Sequence, residues 1–228
     1  MSLFRFGQTP PLRRPAELAP AAWLRMARHP SAYAPTAAEV LTPPPSIDLR
    51  SDPAPHLRAV LDDPDADAPR LAFADSIAAA DPARAGFIRA QLSGDPAAEA
   101  LLSRHGARWA DEFAPWGARD LIYRRGFAEG MSLTGRSFIS LGMGLFELTP
   151  LRDVRLIAVN FLMGELVRCP HLAKVRLLDL SGNRIGDAGA ELLLGCEYLH
   201  GLRELRLAGN GLSAAVEARW RAHFGASG

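Results

Sequence analysis

Aliphatic residues recur at a regular spacing through the last hundred residues of the chain. The pattern L-x-x-L-x-x-L-x-L-x-x-N ends at Asn210; an equivalent copy ends at Asn183, 27 residues earlier, and a third ends at Val159, 24 residues before that. The aliphatic positions of these copies are Leu148, Leu151, Val154 and Leu156; Leu172, Val175, Leu178 and Leu180; and Leu199, Leu202, Leu205 and Leu207. A degenerate copy has Ala128, Met131 and Leu133. Alternation at the last two aliphatic positions predicts a short strand whose aliphatic side chains share one face.

One copy is too short to bury its own apolar face, so the copies must stack against each other. The pattern resembles the leucine-rich repeat of the ribonuclease-inhibitor-like type, and repeats of this class have periods of about 20 to 29 residues. The resemblance implies an α/β solenoid with a parallel, concave sheet and helices on its convex side, which we expect at 164–167 and 186–194. The asparagine that closes a copy is expected to turn inward and satisfy backbone groups in the following bend.

The only two cysteines, Cys169 and Cys196, lie one repeat apart. Equivalent positions in stacked copies are buried side by side, so we interpret both as small core residues. A disulfide or a metal site is the alternative interpretation.

A closing helix is predicted after the last copy. Ser213 is placed to cap it, and the side chains expected to cover the final repeat are Ala215 or Val216, Trp220 and Phe224.

Residues 53–118 carry the signals of a helical unit. Asp81 and Asp95 each precede a proline. The aspartate supplies a side-chain acceptor for the backbone amides of a first helical turn, and the proline supplies a backbone angle suited to that turn. These signals and the apolar spacing predict helices at 54–62, 69–79, 82–92, 96–105 and 107–113.

The same unit resembles a known family. Its segments are Leu57-Arg-Ala-Val-Leu, Asp65-Ala-Asp67-Ala-Pro69-Arg70-Leu71-Ala-Phe73-Ala74-Asp75, Asp81-Pro82 and Phe87-Ile88-Arg89-Ala-Gln91, with Arg124-Arg125-Gly126-Phe127 following. They are similar to the bacterial repeat-companion domain, a helical module often found ahead of leucine-rich repeats, although Ser76 stands where that family usually has tryptophan. The resemblance implies no activity. We interpret Arg70, Asp75, Arg89 and Gln91 as a structural network, with an active constellation as the alternative.

The first 52 residues hold nine of the 18 prolines and predict an extended arm with at most one short helix, near 21–29. The aromatic residues of the arm are Phe4, Phe6, Trp23 and Tyr33. Two interpretations remain open: the arm packs on its own protein, or it docks on a partner.

The composition argues against several classes of protein. Hydrophobic residues make up 48% of the 228 positions, and 26 basic against 25 acidic side chains leave a net charge of +1. Without excess charge, general attraction to nucleic acid or to an anionic membrane is not expected. No apolar run is long enough for a signal peptide or a membrane helix, so we expect a cytoplasmic protein.

Sequence motifs for catalysis and cofactors are missing. Asp63, Asp65 and Asp67 have the first spacings of a calcium loop, but Ala68 and Ala74 stand where that loop needs glycine and glutamate. We interpret the acidic run as turn and cap residues. No zinc spacing, Walker, dinucleotide or nucleophile-elbow pattern occurs, so we expect no metal, no cofactor and no catalytic residues.

Aligning the repeat copies predicts which side chains share the outward face of the sheet. One column is Ser132, Arg155, Asp179 and Arg206, flanked on one side by Gly130, Asp153, Leu177 and Glu204 and on the other by Thr134, Ile157, Ser181 and Ala208. At about 4.8 Å between strands, Arg155, Asp179 and Arg206 would form an alternating charge ladder. The ladder is either a self-satisfied exposed face or a recognition strip for a partner.

These expectations define three parts of the chain: an arm at 1–52, a helical repeat-companion domain at 53–118 and a leucine-rich-repeat solenoid with a capping helix at 119–228. The favoured function is a non-catalytic module that binds a protein or peptide partner. The partner-binding candidates are Ser132, Asp153, Arg155, Ile157, Leu177, Asp179, Glu204 and Arg206. The alternatives are an accessory subunit that presents a client to a modifying enzyme, and an enzyme with its site between the helical unit and the solenoid.

Overall fold

A computed structural model describes residues 54–224 as a mixed α/β structure. Its α-helices are α1 (Ala54–Asp62), α2 (Ala68–Ile77), α3 (Pro82–Ser93), α4 (Ala97–Ala110), α5 (Gly135–Leu148), α6 (Met163–Leu166), α7 (Gly186–Leu194) and α8 (Ala214–Phe224). Its strands are β1 (Arg119–Arg124), β2 (Phe127–Thr134), β3 (Asp153–Ile157), β4 (Leu177–Asp179) and β5 (Glu204–Arg206). Short 3₁₀ helices lie at Asp111–Trp116, Asn160–Leu162, Pro170–Lys174 and Glu197–Leu199. The aromatic residues of the arm, Phe4, Phe6, Trp23 and Tyr33, and its predicted helix lie outside the described residues.

The helices α1 to α4 begin where the sequence predicts, within one residue. Asp81 Oδ1 accepts a hydrogen bond from Arg84 N at 3.0 Å, and Asp95 Oδ1 accepts one from Ala97 N at 2.8 Å. The predicted break between the fourth and fifth helices is wrong. Helix α4 continues without interruption to Ala110 and passes into a 3₁₀ turn, because Gly106 lowers helix propensity without ending the helix.

The five strands form one sheet in the order β1-β2-β3-β4-β5. Strands β2 to β5 are parallel, and β1 pairs with β2 in the antiparallel sense. The register pairs Met131 with Val154, Val154 with Leu178, and Leu178 with Leu205. The mixed α/β class and the mostly parallel sheet are therefore confirmed, with the strand register that the repeat alignment predicts.

Most aliphatic positions of the repeat are buried in one continuous core. Fully buried members include Leu151, Val154, Leu156, Leu172, Val175, Leu178 and Leu180. The prediction for Leu148 is wrong: it ends helix α5 and is 42% exposed. The sequence analysis did not predict α5, which buries Phe138, Leu145 and Phe146 against this core.

Two asparagines bond the backbones of neighbouring repeat copies to each other. Asn183 Nδ2 donates to Leu156 O and Leu180 O, each at 2.8 Å, and its Oδ1 accepts from Val159 N at 3.1 Å. Asn210 Nδ2 donates to Leu180 O at 3.0 Å, and its Oδ1 accepts from Asn183 N at 3.0 Å. Both side chains are buried, as the inward turn predicts, but they satisfy the bend of the preceding copy, whereas the sequence analysis expects bonds in the bend that follows. We call this pair the asparagine ladder.

The backbone of the same bend is left-handed in all three copies. Gly182 and Gly209 have φ of 75° and 68°, and the equivalent Ala158 has φ of 56°. Glycine adopts this conformation without steric cost, whereas alanine is strained there. The third copy thus keeps the bend geometry although Val159 replaces its asparagine.

Helices lie between the parallel strands where the sequence analysis places them. Helix α7 has the predicted bounds, and α6 begins one residue earlier than expected; they bury Leu193 and Leu166. Cys169 is buried, Cys196 is half-buried, and both are free thiols. Burial raises the pKa of both thiols, as expected of small packing residues rather than reactive ones.

Helix α8 closes the last repeat. Ser213 Oγ accepts from Val216 N at 3.4 Å, and Val216 and Trp220 are buried in the repeat core. Ala215 is exposed, so Val216 is the one of these two residues whose side chain covers the final repeat. None of the helices within residues 54–224 is long and apolar enough to cross a membrane.

Replacing Asn183 with alanine should destabilise the protein by about 3 kcal/mol or more, because it leaves buried groups at Leu156 and Val159 without this partner and removes one of the two amide donors to Leu180 O. Urea unfolding followed by circular dichroism measures the change. Asn160→Ala is the matched control, since Asn160 is exposed, and should change the free energy of unfolding by less than about 0.5 kcal/mol. Equal effects of the two substitutions would contradict a structural role for the ladder.

Candidate partner-binding face

The four parallel strands present one face outward, and the structure aligns the predicted side chains on it. The register pairs Ser132 with Arg155, Arg155 with Asp179, and Asp179 with Arg206. The neighbouring column is Gly130, Asp153, Leu177 and Glu204, and Thr134 pairs with Ile157. We call this surface the exposed sheet face.

The predicted alternating charge ladder is not continuous. Arg155 Nε lies 3.9 Å from Asp179 Oδ2, but Arg206 Nε pairs with Glu204 Oε1 on its own strand at 2.6 Å. No ion pair within residues 54–224 joins Asp179 to Arg206. Asp179 Oδ1 instead accepts a hydrogen bond from Ser181 N at 2.8 Å, which directs the carboxylate towards the turn after β4.

Ser132 also differs from the prediction, because it is buried rather than exposed. Strand β1 lies on the other side of β2, so that Ser132 is flanked by Arg119 and Arg155. The sequence analysis missed this strand. Arg125 and Gly126 have φ of 49° and 86°, and a two-residue turn of this kind joins antiparallel strands. The signal that the sequence offers for this turn is Gly126.

Strand β1 supplies two further residues to the exposed sheet face. Arg124 forms an ion pair with Asp153, which the repeat alignment leaves without a partner. Ile122 is 46% exposed and packs over Gly130, where an added Cβ would lie 3.1 Å from Ile122 Cβ. The face therefore pairs most of its charges and exposes aliphatic side chains beside them.

Apolar side chains are exposed both on this face and in the segment that follows β3. Ile157 is 41% exposed, Leu177 is half-buried, and Phe161, in the 3₁₀ helix after β3, is 92% exposed. A phenylalanine that open to solvent contributes little to the core. Sequence reasoning missed Phe161, since neither repeat position nor helical spacing distinguishes it.

A buried arginine joins the helices to the first parallel strand. Arg70 on α2 is fully buried; its Nη2 donates to Glu129 Oε1 and to Pro64 O, both at 2.7 Å, and its Nη1 donates to Arg125 O at 3.1 Å. Burial lowers the pKa of the guanidinium, and the Glu129 carboxylate opposes that shift. A buried charge with this many partners fixes the position of α2 against β2.

The other members of the proposed polar network act separately. Gln91 Oε1 accepts from Gly126 N at 2.7 Å and its Nε2 donates to Tyr123 O at 3.3 Å, so this side chain holds the β1–β2 turn. Asp75 and Arg89 form an exposed ion pair with each other. The contacts are structural, but they form three groups rather than one network.

Asp65, between α1 and α2, bridges the helices to two repeat copies. Its carboxylate pairs with Arg152 and with Arg176, whose Nη2 lies 2.8 Å from Asp65 Oδ2. These arginine hydrogen bonds hold the pKa of Asp65 well below its usual range. The interpretation of Asp65 as a turn or cap residue is therefore incomplete.

Asp67 does not act as a cap either: it precedes α2, but its side chain makes no capping bond. No group of three or more His, Cys, Asp or Glu side chains within the described residues is arranged to hold a metal ion.

One known family matches part of the chain. Residues 171–194, which span most of the 3₁₀ helix before β4, β4 itself and all of α7, match the family model for the Leucine Rich repeat. No curated protein and no solved structure matches the chain. The chain therefore contains leucine-rich repeat sequence where the aliphatic pattern predicts it.

Asp65→Asn should lower the free energy of unfolding at pH 7 by about 1–2 kcal/mol. The effect is small because the carboxylate is largely exposed and is screened by solvent. The pKa of Asp65 is depressed by folding, so its contribution is present above its ordinary value of about 3.9 and is lost as the pH falls through the depressed value. The difference between wild type and variant should accordingly shrink below about pH 4. Asp63→Asn is the control, since that side chain is exposed. A difference that stays constant down to pH 2 would rule out the ion-pair origin.

Proposed function

We propose that the chain is a non-catalytic protein-interaction module that binds a protein or peptide through the exposed sheet face. The observation that carries the proposal is the register of β3, β4 and β5, which brings Arg155, Asp179 and Arg206 into one row beside Leu177 and Ile157. Leucine-rich repeats typically serve in protein interactions, and the match at residues 171–194 supports that assignment.

The ion pairs of this face are suited to exchange for contacts with a partner. The side chains of Arg155 and Arg206 are 54% and 53% exposed, and exposed ion pairs contribute only about 0–1 kcal/mol. Turning either guanidinium towards a partner therefore costs little. Arginine offers planar donors that bind a carboxylate in bidentate fashion, and the neighbouring Ile157 and Leu177 offer apolar contact.

The dimensions favour an extended or short helical segment as the bound element. Four parallel strands at a spacing of about 4.8 Å make a strip roughly 14 Å wide. A strip of this width matches a single peptide segment better than a broad domain surface. The favoured partner sequence carries carboxylates next to aliphatic or aromatic side chains.

The proposed domain organisation follows from the same repeat. We assign residues 53–118 to a helical repeat-companion domain and 119–228 to a leucine-rich-repeat solenoid of the ribonuclease-inhibitor-like type with a capping helix. The contacts of Arg70 with Glu129 and of Asp65 with Arg152 support a rigid junction between them. The helical part would then orient the exposed sheet face and take no part in chemistry.

The proline-rich segment at 1–52 is proposed as a second docking element. Phe4, Phe6, Trp23 and Tyr33 supply more aromatic surface than a spacer requires. In this proposal the arm and the exposed sheet face contact the same partner, so that the two weak contacts reinforce each other.

Reversing both Arg155 and Arg206 to glutamate should abolish capture of the native partner, because carboxylates of the partner would then face like charges. The measurement compares affinity capture from the native organism by wild type and variant, followed by mass spectrometry. Arg58→Glu with Arg104→Glu is the matched control, since both arginines are exposed on helices away from the sheet. Partners retained by the Arg155/Arg206 variant at wild-type levels would contradict the proposal.

Deleting residues 1–45 should weaken the same complex at least tenfold while leaving the melting temperature nearly unchanged, because the arm is proposed to contact the partner rather than the core. Serine at all four aromatic positions of the arm, with the length kept, should reproduce the loss. A large drop in melting temperature would instead mean that the arm packs on its own protein.

A further inference from the structure

An open pocket of about 420 Å³ lies beside the residues that precede β3, β4 and β5, apart from the proposed partner-binding residues. Arg152, Lys174, Arg176 and Arg203 line it, together with Phe146 and with Asp62 at the end of α1. Pockets for small organic ligands have volumes of about 300–1,000 Å³. The space is therefore larger than an inorganic ion alone requires.

The three arginines occupy one equivalent position in successive repeat copies. Arg176 N donates to Arg152 O at 2.8 Å, and Arg203 N donates to Arg176 O at 2.7 Å. The backbone ladder therefore holds three guanidinium-bearing positions one strand apart, at a spacing of about 4.8 Å. Such a stack of like charges is unfavourable unless anions lie against it.

The protein supplies only part of the compensating negative charge. Asp65 pairs with Arg152 and Arg176, and Asp62 is the carboxylate of the lining. Within residues 54–224, neither Arg203 nor Lys174 forms an ion pair. The cationic side chains of the lining therefore outnumber the carboxylates, and positive charge is in excess.

Arg152 is the buried member of the stack. It is 7% exposed, and its Nη1 bonds to Asp65 Oδ1 at 2.5 Å. Asp65 also pairs with Arg176, so one carboxylate is shared by two guanidinium groups of the stack.

We propose that this pocket binds a phosphomonoester dianion attached to a small apolar or aromatic group. Arginine and lysine are the side chains that bind phosphate oxygens most strongly, and a dianion offsets more of the excess positive charge than a monoanion does. Leu61 and Pro64, which are half-buried and line the pocket, supply an apolar surface for the attached group. The phosphomonoester is either a free small molecule or a phosphorylated side chain of another protein.

The test uses phenyl phosphate, inorganic phosphate and benzenesulfonate as probes of the full-length protein, with isothermal titration calorimetry as the readout. Phenyl phosphate should bind more tightly than inorganic phosphate, which lacks the ring, and more tightly than benzenesulfonate, which carries one charge. Lys174→Gln with Arg203→Gln should weaken phenyl phosphate binding at least about tenfold. Arg89→Gln with Arg104→Gln is the control, since both residues lie on helices α3 and α4 and neither lines the pocket, and it should leave the binding unchanged. The melting temperature of each unliganded variant reports whether it is folded.

Three outcomes would overturn the proposal: no binding of phenyl phosphate, equal affinity for phenyl phosphate and benzenesulfonate, or undiminished binding of phenyl phosphate by the Lys174/Arg203 variant. All proteins are compared at one salt concentration. A phosphotyrosine peptide that binds more tightly than phenyl phosphate assigns a phosphorylated side chain as the source, and weaker binding assigns a free small molecule; both support the shared chemistry. Arg155→Glu with Arg206→Glu should bind phenyl phosphate normally, which separates this site from the proposed partner-binding face.

Discussion

The structure depends on the need of each repeat copy to have its backbone satisfied by the next. A copy has too few residues to bury its aliphatic side chains or to bond the amides of its own bend. Asn183 and Asn210 solve the second problem by reaching back into the preceding copy, where they bond to Leu156, Leu180 and Val159. These bonds form only when the strands are parallel and in one register. The same constraint therefore fixes the sheet, the core and the alignment of every side chain on either surface.

Two surfaces with opposite properties follow from that single register. On the exposed sheet face, arginines alternate with carboxylates, so that most charges are paired and the pairs are exposed. At the positions before the strands, Arg152, Arg176 and Arg203 fall in one stack, and like charges accumulate. Asp65 compensates part of that stack and at the same time attaches the α1–α2 turn to two repeat copies. Charge at one repeat position thus accumulates along the sheet, because the equivalent residue of the next copy lies one strand away.

Periodic features were predictable from the sequence, and features that depend on packing between distant elements were not. The register of Met131, Val154, Leu178 and Leu205 follows from repeat spacing alone, as does α7. Helix α5 escaped prediction because Gly135, Gly142 and Gly144 lower its helix propensity. Yet a methyl group at Gly142 would lie 3.2 Å from His171 Cδ2, so packing requires the small residue.

The predicted charge ladder does not extend beyond Arg155 and Asp179, because Asp179 accepts a hydrogen bond from its own turn and Arg206 pairs with Glu204. The stack of Arg152, Arg176 and Arg203 did have a sequence signal, since its members are 24 and 27 residues apart.

Native-state hydrogen exchange at the bend amides tests the central claim most directly. The amides of Val159 and Asn183 lie in bends, where exchange is ordinarily fast, and in this structure they donate to the side chains of Asn183 and Asn210. The account predicts that both amides exchange only on global unfolding, with the same protection as the amides of the core strands. Exchange at the rate of an exposed turn, with the neighbouring strands still protected, would contradict the claim that the asparagine ladder holds the repeat copies in register.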